Sequence, residues 1–141
     1  MRVREILRIK GHTLFTTDPH GPVIDAVKVM AQHDIGSLVV MDRGRLAGIL
    51  TFREVLEAVA DRDGALGDLT VGDVYERDPL TAEPDLEVME LRRVMLERHA
   101  RYVPIMDGTT LLGVVSFHDV AKAVLEDQTF ENRMLHSYIA S

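Results

Sequence analysis

This chain is written twice. Residues 16–59 laid on residues 81–124, a shift of 65 without a gap, coincide at Thr16/Thr81, Pro19/Pro84, Val23/Val88, Val29/Val94, Met30/Met95, Met41/Met106, Asp42/Asp107, Leu46/Leu111, Gly48/Gly113, Phe52/Phe117, Val55/Val120, Ala58/Ala123 and Val59/Val124. Other pairs are close exchanges, among them Asp25/Glu90, Ile49/Val114 and Thr51/Ser116. A tandem repeat predicts two similar units packed about a pseudo-twofold axis. It also predicts that any site exists twice, in related clefts at their junction.

Each copy reads as strand, helix, hairpin, helix. In the first, Leu14-Phe15-Thr16 is a short strand. Val23, Ala26, Val27, Met30 and Ala31 then recur at helical spacing to about His33. Ser37–Met41 and Leu46–Leu50 form a hairpin around Asp42-Arg43-Gly44-Arg45, and a helix runs from Phe52 to about Ala60. In the second, Leu80-Thr81 is a strand stub, and Val88, Leu91, Met95 and Leu96 share a helix face. Val103–Met106 and Leu111–Val115 form the hairpin, and a helix runs from Phe117 to about Glu126. Pro104 predicts a free edge or a bulge in its strand. Short amphipathic lead-ins, residues 3–10 and Val71–Tyr75, precede the copies. The fold class is mixed α/β (α+β): two β-α-β-β-α units whose three-stranded sheets pack together over one core, since neither is large enough alone. The divisions are unit one at 3–60, a Gly- and Asp-rich linker at 61–70, unit two at 71–126 and a tail helix at 127–141. The tail's Phe130, Met134, Leu135, Tyr138 and Ile139 make an apolar face for the first lead-in helix or another subunit.

Composition removes several function classes. Cysteine is absent, which excludes disulfides and thiolate chemistry and suits the cytoplasm. No apolar run reaches the ~20 residues of a bilayer span, and the start leads into no signal-peptide core. A net charge of −7 argues against a nucleic-acid surface. The six histidines show no metal-ligand spacing, so no metal is expected. Dinucleotide-fold, P-loop and nucleophile-elbow motifs are missing.

What remains is one motif, present twice. Each hairpin ends in a strand followed by [ST]-x-x-[DE] at the start of a helix: Thr51-Phe52-Arg53-Glu54 and Ser116-Phe117-His118-Asp119. As local structure this is a capping box. Facing a cleft, the same helix start is an anion site, because its N–H groups are unpaired and its dipole favours negative charge. The carboxylate can also accept both hydroxyls of a ribose. The two roles are compatible.

These residues resemble the cystathionine-β-synthase (CBS) domain family. The first copy carries Pro19, Ala26, Met30, Ile35-Gly36-Ser37-Leu38-Val39-Val40 and Gly48-Ile49-Leu50-Thr51-x-x-Glu54. The second carries Arg101-Tyr102-Val103-Pro104-Ile105 and Gly113-Val114-Val115-Ser116-x-x-Asp119. The resemblance spans about residues 3–126, and the tail is similar to that of small stand-alone bacterial CBS pairs.

The resemblance implies a regulatory, non-enzymatic sensor of an adenine ligand: AMP, ADP, ATP, NAD or S-adenosylmethionine. It implies that Ser116 contacts phosphate or ribose, Asp119 the ribose hydroxyls, and His118 and Arg101 the phosphate. Val114 lies in the same site, with Ile35, Gly36, Ser37, Phe15 and the Lys10–His12 segment flanking adenine. The partner cleft takes Thr51, Arg53 and Glu54, with Leu80, Ala100, Arg101 and Tyr102 opposite. Glu54 stands where the family has Asp, and its extra methylene moves the carboxylate. The Asp119 cleft is therefore expected to be the tighter. A flat homodimer of four units is also implied. Two other readings stay open: an oligomerisation module whose motifs only cap helices, and a small nucleotide-processing enzyme with His118 as its general base.

Overall fold

The computed structural model describes residues 1–11 and 13–140, and for residues 129–130 and 137–140 the main chain alone. Its elements are α1 (Val3–Lys10), β1 (Thr16–Thr17), α2 (Val23–His33), β2 (Ser37–Asp42), β3 (Arg45–Thr51), α3 (Phe52–Asp61), a single 3-10 turn (Val71–Asp73), β4 (Glu76–Arg77), α4 (Val88–Arg98), β5 (Tyr102–Asp107), β6 (Thr110–Ser116) and α5 (Phe117–Ala140). The two halves repeat in detail at the shift of 65. α2 and α4 end on left-handed Asp34 and His99. The hairpins share one register, Ser37 opposite Thr51 and Tyr102 opposite Ser116, and each has a bulge, at Val40/Met41 and at Ile105/Met106. The first hairpin turns on Arg43 and Gly44, both at positive φ, which suits a two-residue connection.

The sheets are less alike than the repeat predicts. One has four strands in the order β1-β2-β3-β4; the other has two, β5-β6. The expected stub at Leu80-Thr81 is not a strand, and Pro104 supplies the reason. In the first copy, the Val39 N–H donates to the Phe15 carbonyl and holds β1 on β2. The equivalent donor would be residue 104, and proline has no N–H. What survives is a bridge one residue on, where the Ala82 N–H donates to the Pro104 carbonyl at 3.1 Å and the Met106 N–H to the Ala82 carbonyl at 2.9 Å.

Each unit has its own core rather than a share of one. Leu38, Val40 and Leu50 pack with Ala26 and Met30 in the first; Val103, Ile105 and Val115 pack with Leu91 and Met95 in the second. On the opposite sheet faces Val39, Ile49 and Pro104 are also buried.

The lead-ins are exchanged. Val3 and Ile6 of α1 join the core of the second unit, while Val71 joins the core of the first, with Val74 and Tyr75 packed against it. The exchange is reciprocal and follows an offset of 68 (3 to 71). Val3 N–H donates to Leu86 O, Arg4 N–H to Pro84 O, and Val88 N–H to Met1 O, each at 2.9 Å. Their counterparts are Val71 N–H to Gly21 O, Gly72 N–H to Pro19 O, and Val23 N–H to Leu69 O. The outer side of α1 is fastened by Arg4 on Asp85 at 2.6 Å.

The helix expected to stop near Glu126 continues instead as α5 through Ala140, so the tail is not a separate element. Met134 and Leu135 are exposed. No helix among the described residues is long and apolar enough to cross a membrane.

Candidate functional site

Two clefts open at the junction of the units. The larger, about 860 Å³, is lined by Phe15, Ile35, Gly36 and Ser37 on one side and by Val114, Ser116 and His118 on the other, with Lys10 and Arg101 at its margins. The repeat geometry explains this convergence. The N-terminal end of β2 and the C-terminal end of β6 come from different units, and the sheet packing sets them face to face. Thus nine of the eleven residues expected here line one cavity. His12 lies outside the described residues. Asp119 is not among the lining residues, although its carboxylate is bonded to Ser116, which is.

The Asp119 carboxylate is fastened to two residues that line this cleft, Ser116 and Lys10. Its Oδ2 accepts from the Ser116 N–H at 2.8 Å, and the Asp119 N–H donates to Ser116 Oγ at 3.0 Å, which closes a capping box. Oδ2 also accepts from Lys10 Nζ at 2.7 Å. Oδ1 accepts no hydrogen bond from a described residue. Burial pushes the carboxyl pKa up, but the Lys10 and Ser116 hydrogen bonds and the Lys10 charge outweigh it, leaving the group below its ordinary value. The Lys10 ammonium is held also by the Val114 carbonyl at 2.7 Å. Phe15 stacks on His33 with centroids 4.2 Å apart.

The smaller cleft, about 510 Å³, contains Thr51, Arg53, Leu80, Ala100, Arg101 and Tyr102, six of its seven expected residues. Glu54 is the exception. It is 7% exposed, and its Oε1 accepts from both the Thr51 N–H and the Thr51 hydroxyl at 2.8 Å. The longer side chain folds back into its own cap and does not reach the cavity wall. Arg53 bonds the other oxygen at 3.3 Å and lies 3.7 Å from Glu76. Burial, then the Glu54 charge, pushes the Glu76 pKa up against the pull of Arg53 and Arg98.

Arg101 and Tyr102 line both clefts and form the partition between them. Tyr102 meets Phe52 edge to face at 6.1 Å, and the Arg101 guanidinium sits 5.5 Å from the Phe52 centroid. Burial pushes the Tyr102 pKa up; Arg101 opposes this and Asp119 adds to it. Sequence reasoning placed Tyr102 in the smaller cleft alone. It also passed over Asp34 and His99, which occupy matching places in the two cavities. The shift of 65 applied to the helix ends would have found that pair. Leu7 and Leu112 had no comparable signal, because nothing local places α1 on β6. His118 faces the cleft without a side-chain partner among the described residues to orient its ring, as a general base would need.

The chain matches the CBS domain family over residues 3–61 and again over 71–126. It is 34% identical over 148 residues to the mitochondrial CBS domain-containing protein CBSX3 of Arabidopsis thaliana, covering 97% of this chain and 71% of that one. Its fold superposes with a TM-score of 0.85 on a protein with CBS domains from Burkholderia ambifaria, 31% identical, covering 91% and 96% of the two chains. The CBS domain pair of protein MJ0100, solved with 5′-methylthioadenosine and S-adenosyl-L-methionine, superposes with a TM-score of 0.78 at 23% identity, covering 90% and 98%. The duplicated units, the exchanged lead-ins and these matches agree: the chain belongs to the CBS domain family, as a tandem pair of CBS units.

Proposed function

We propose that this protein is a regulatory module that binds an adenine nucleotide, such as AMP, ADP, ATP or NAD, in the Asp119 cleft. The observation that carries the reading is the Asp119 carboxylate. It is fixed by a helix cap to Ser116, which lines the 860 Å³ cavity, and its Oδ1 accepts no hydrogen bond from a described residue. That volume is in the range of small-molecule sites. A ribose diol would donate to Asp119. The phosphate would meet the Ser116 helix start, His118 and Arg101. The base would lie among Ile35, Gly36, Ser37 and Phe15. A CBS pair of the same fold that holds two adenosine compounds supports the ligand class. The Glu54 cleft is the weaker site, since Glu54 is buried and both its oxygens are bonded, one in the cap and one to Arg53, whereas Asp119 keeps one oxygen without a partner among the described residues. Exposed Leu56, Leu96 and Leu125 support a homodimer through the helical faces.

The test is calorimetric titration of the full chain, freed of co-purified ligand, with AMP, ATP, NAD and S-adenosylmethionine. Micromolar binding of at least one is expected, weakened about tenfold or more by Asp119→Ala, while loss of the cap lowers stability by only about 1 kcal/mol. Absence of binding at millimolar concentration would refute the reading. It would leave the second one, an oligomerisation module, to which the exposed apolar side chains also point.

A further inference from the structure

We propose that the smaller cleft is a site for a small polyvalent oxyanion that carries neither base nor sugar, of the class of inorganic pyrophosphate. The duplication supplies the contrast, because each residue of one cleft has a counterpart in the other at the shift of 65. In the larger cleft Gly36 leaves one end without a side chain, and a Cβ there would collide with the Tyr102 hydroxyl. The counterpart of Gly36 in the smaller cleft is Arg101. Phe15, the aromatic surface beside that end, gives way to Leu80. The acid Asp34 gives way to His99, and His118 to Arg53. Where the larger cleft has room for a flat ring, the smaller one presents basic side chains. Nor does Glu54 offer a diol acceptor, since it is 7% exposed and both its oxygens are bonded.

What the smaller cleft gathers is positive charge. Arg53, Arg98 and Arg101 line it against one acid, Glu76, on a chain whose net charge is −7. Arg53 is partly engaged, bonded to Glu54 at 3.3 Å and 3.7 Å from Glu76. Arg98 and Arg101 form no ion pair with a described residue. The guanidinium fork matches the spacing of phosphate oxygens and binds them in pairs. Leu80, Pro79 and Phe117 complete the walls, and beside such apolar surface a charge pair is screened less than in open water. The larger cleft is more nearly balanced: Lys10 and Arg101 stand against Asp34, and Lys10 is already bonded to Asp119.

Calorimetric titration of the full chain with pyrophosphate and, separately, with ATP tests this. Pyrophosphate should bind the wild type at one site in the submillimolar range. Arg98→Gln should weaken it about tenfold, the scale of one charge-assisted contact, and Arg98→Lys should recover part of the loss. His118→Gln, altered only in the larger cleft, should leave pyrophosphate binding unchanged. Arg98→Gln should leave ATP binding unchanged, which also shows that the variant is folded. No pyrophosphate binding at millimolar concentration would overturn the inference, as would a loss caused by His118→Gln instead of Arg98→Gln. An equal loss of ATP binding in Arg98→Gln would overturn it too, because the arginines would then serve a nucleotide's phosphate tail. Pyrophosphate binding with the expected variant pattern, in a chain that binds no adenine nucleotide, would support this inference and refute the functional reading.

Discussion

Asp119 shows how much a single residue's role depends on distance along the chain. Its bond to Ser116 spans three residues, so spacing alone announced the cap. Its bond to Lys10 spans 109, and no local pattern could announce that. The same holds for Glu54, where one methylene decides whether a carboxylate stays at a cavity wall or turns into its own helix start. The Lys10 pair has a measurable signature in the absence of any ligand. Because Asp119 is held below the ordinary carboxyl value of 3.8, its contribution to stability is full above about pH 4 and is lost as pH falls through the lower folded value. Without Lys10 the main opponent of burial disappears. Carbon-detected NMR titration should place the Asp119 midpoint below 3.8 in the wild type and higher in Lys10→Met. Equal midpoints would mean that the pair does not persist in solution.

At the scale of elements, the repeated glycines are the most instructive positions. Gly48 and Gly113 coincide in the two copies, and each marks a close approach to a hairpin strand. What approaches differs. A Cβ on Gly48 would collide with the main-chain carbonyl of Glu76 in β4 and come within 2.8 Å of the Tyr75 ring. A Cβ on Gly113 would meet Leu7 Cδ2 of α1 at 2.9 Å, the far end of a flexible side chain. Main chain paired in a sheet cannot retreat as a leucine methyl can. Gly48→Ala should therefore destabilise by about 2 kcal/mol or more, and Gly113→Ala by about 1 kcal/mol or less, in chemical denaturation. The duplication showed that both sites need a small residue, but not that a strand fills one and a helix the other. Pro104 is the parallel case in hydrogen bonding. The missing N–H was evident in the sequence, but the lost strand pairing followed only once Val39 and Phe15 showed which bond it would have made.

For the whole molecule, the exchange of lead-ins sets the unit of folding. Neither copy is complete without a segment that lies outside its own strand-to-helix run, so weakening a lead-in should loosen the copy it packs on rather than the one it precedes. Ile6 precedes the first copy in sequence yet is 4% exposed in the core of the second. Ile6→Ala should cost about 2–5 kcal/mol, the usual range for such a truncation in a core. In hydrogen exchange monitored by NMR, sub-global opening should then loosen β5 and β6 before β2 and β3. Earlier loss of protection in β2 and β3 would contradict the exchanged packing. The clefts follow from the same arrangement, since their walls come from opposite units and meet only when both are folded.

Periodicity, turn chemistry and duplication, all encoded within a few residues or by one constant shift, were enough to specify most helices, the two hairpins and the two capping boxes, while the cleft residues came from the resemblance to the CBS family. The direction in which α1 crosses, the continuity of α5, the unequal sheets and the seating of Lys10 on Asp119 were decided by packing between segments far apart in sequence. Such contacts depend on which surfaces meet after the elements form, and a local pattern carries no record of them.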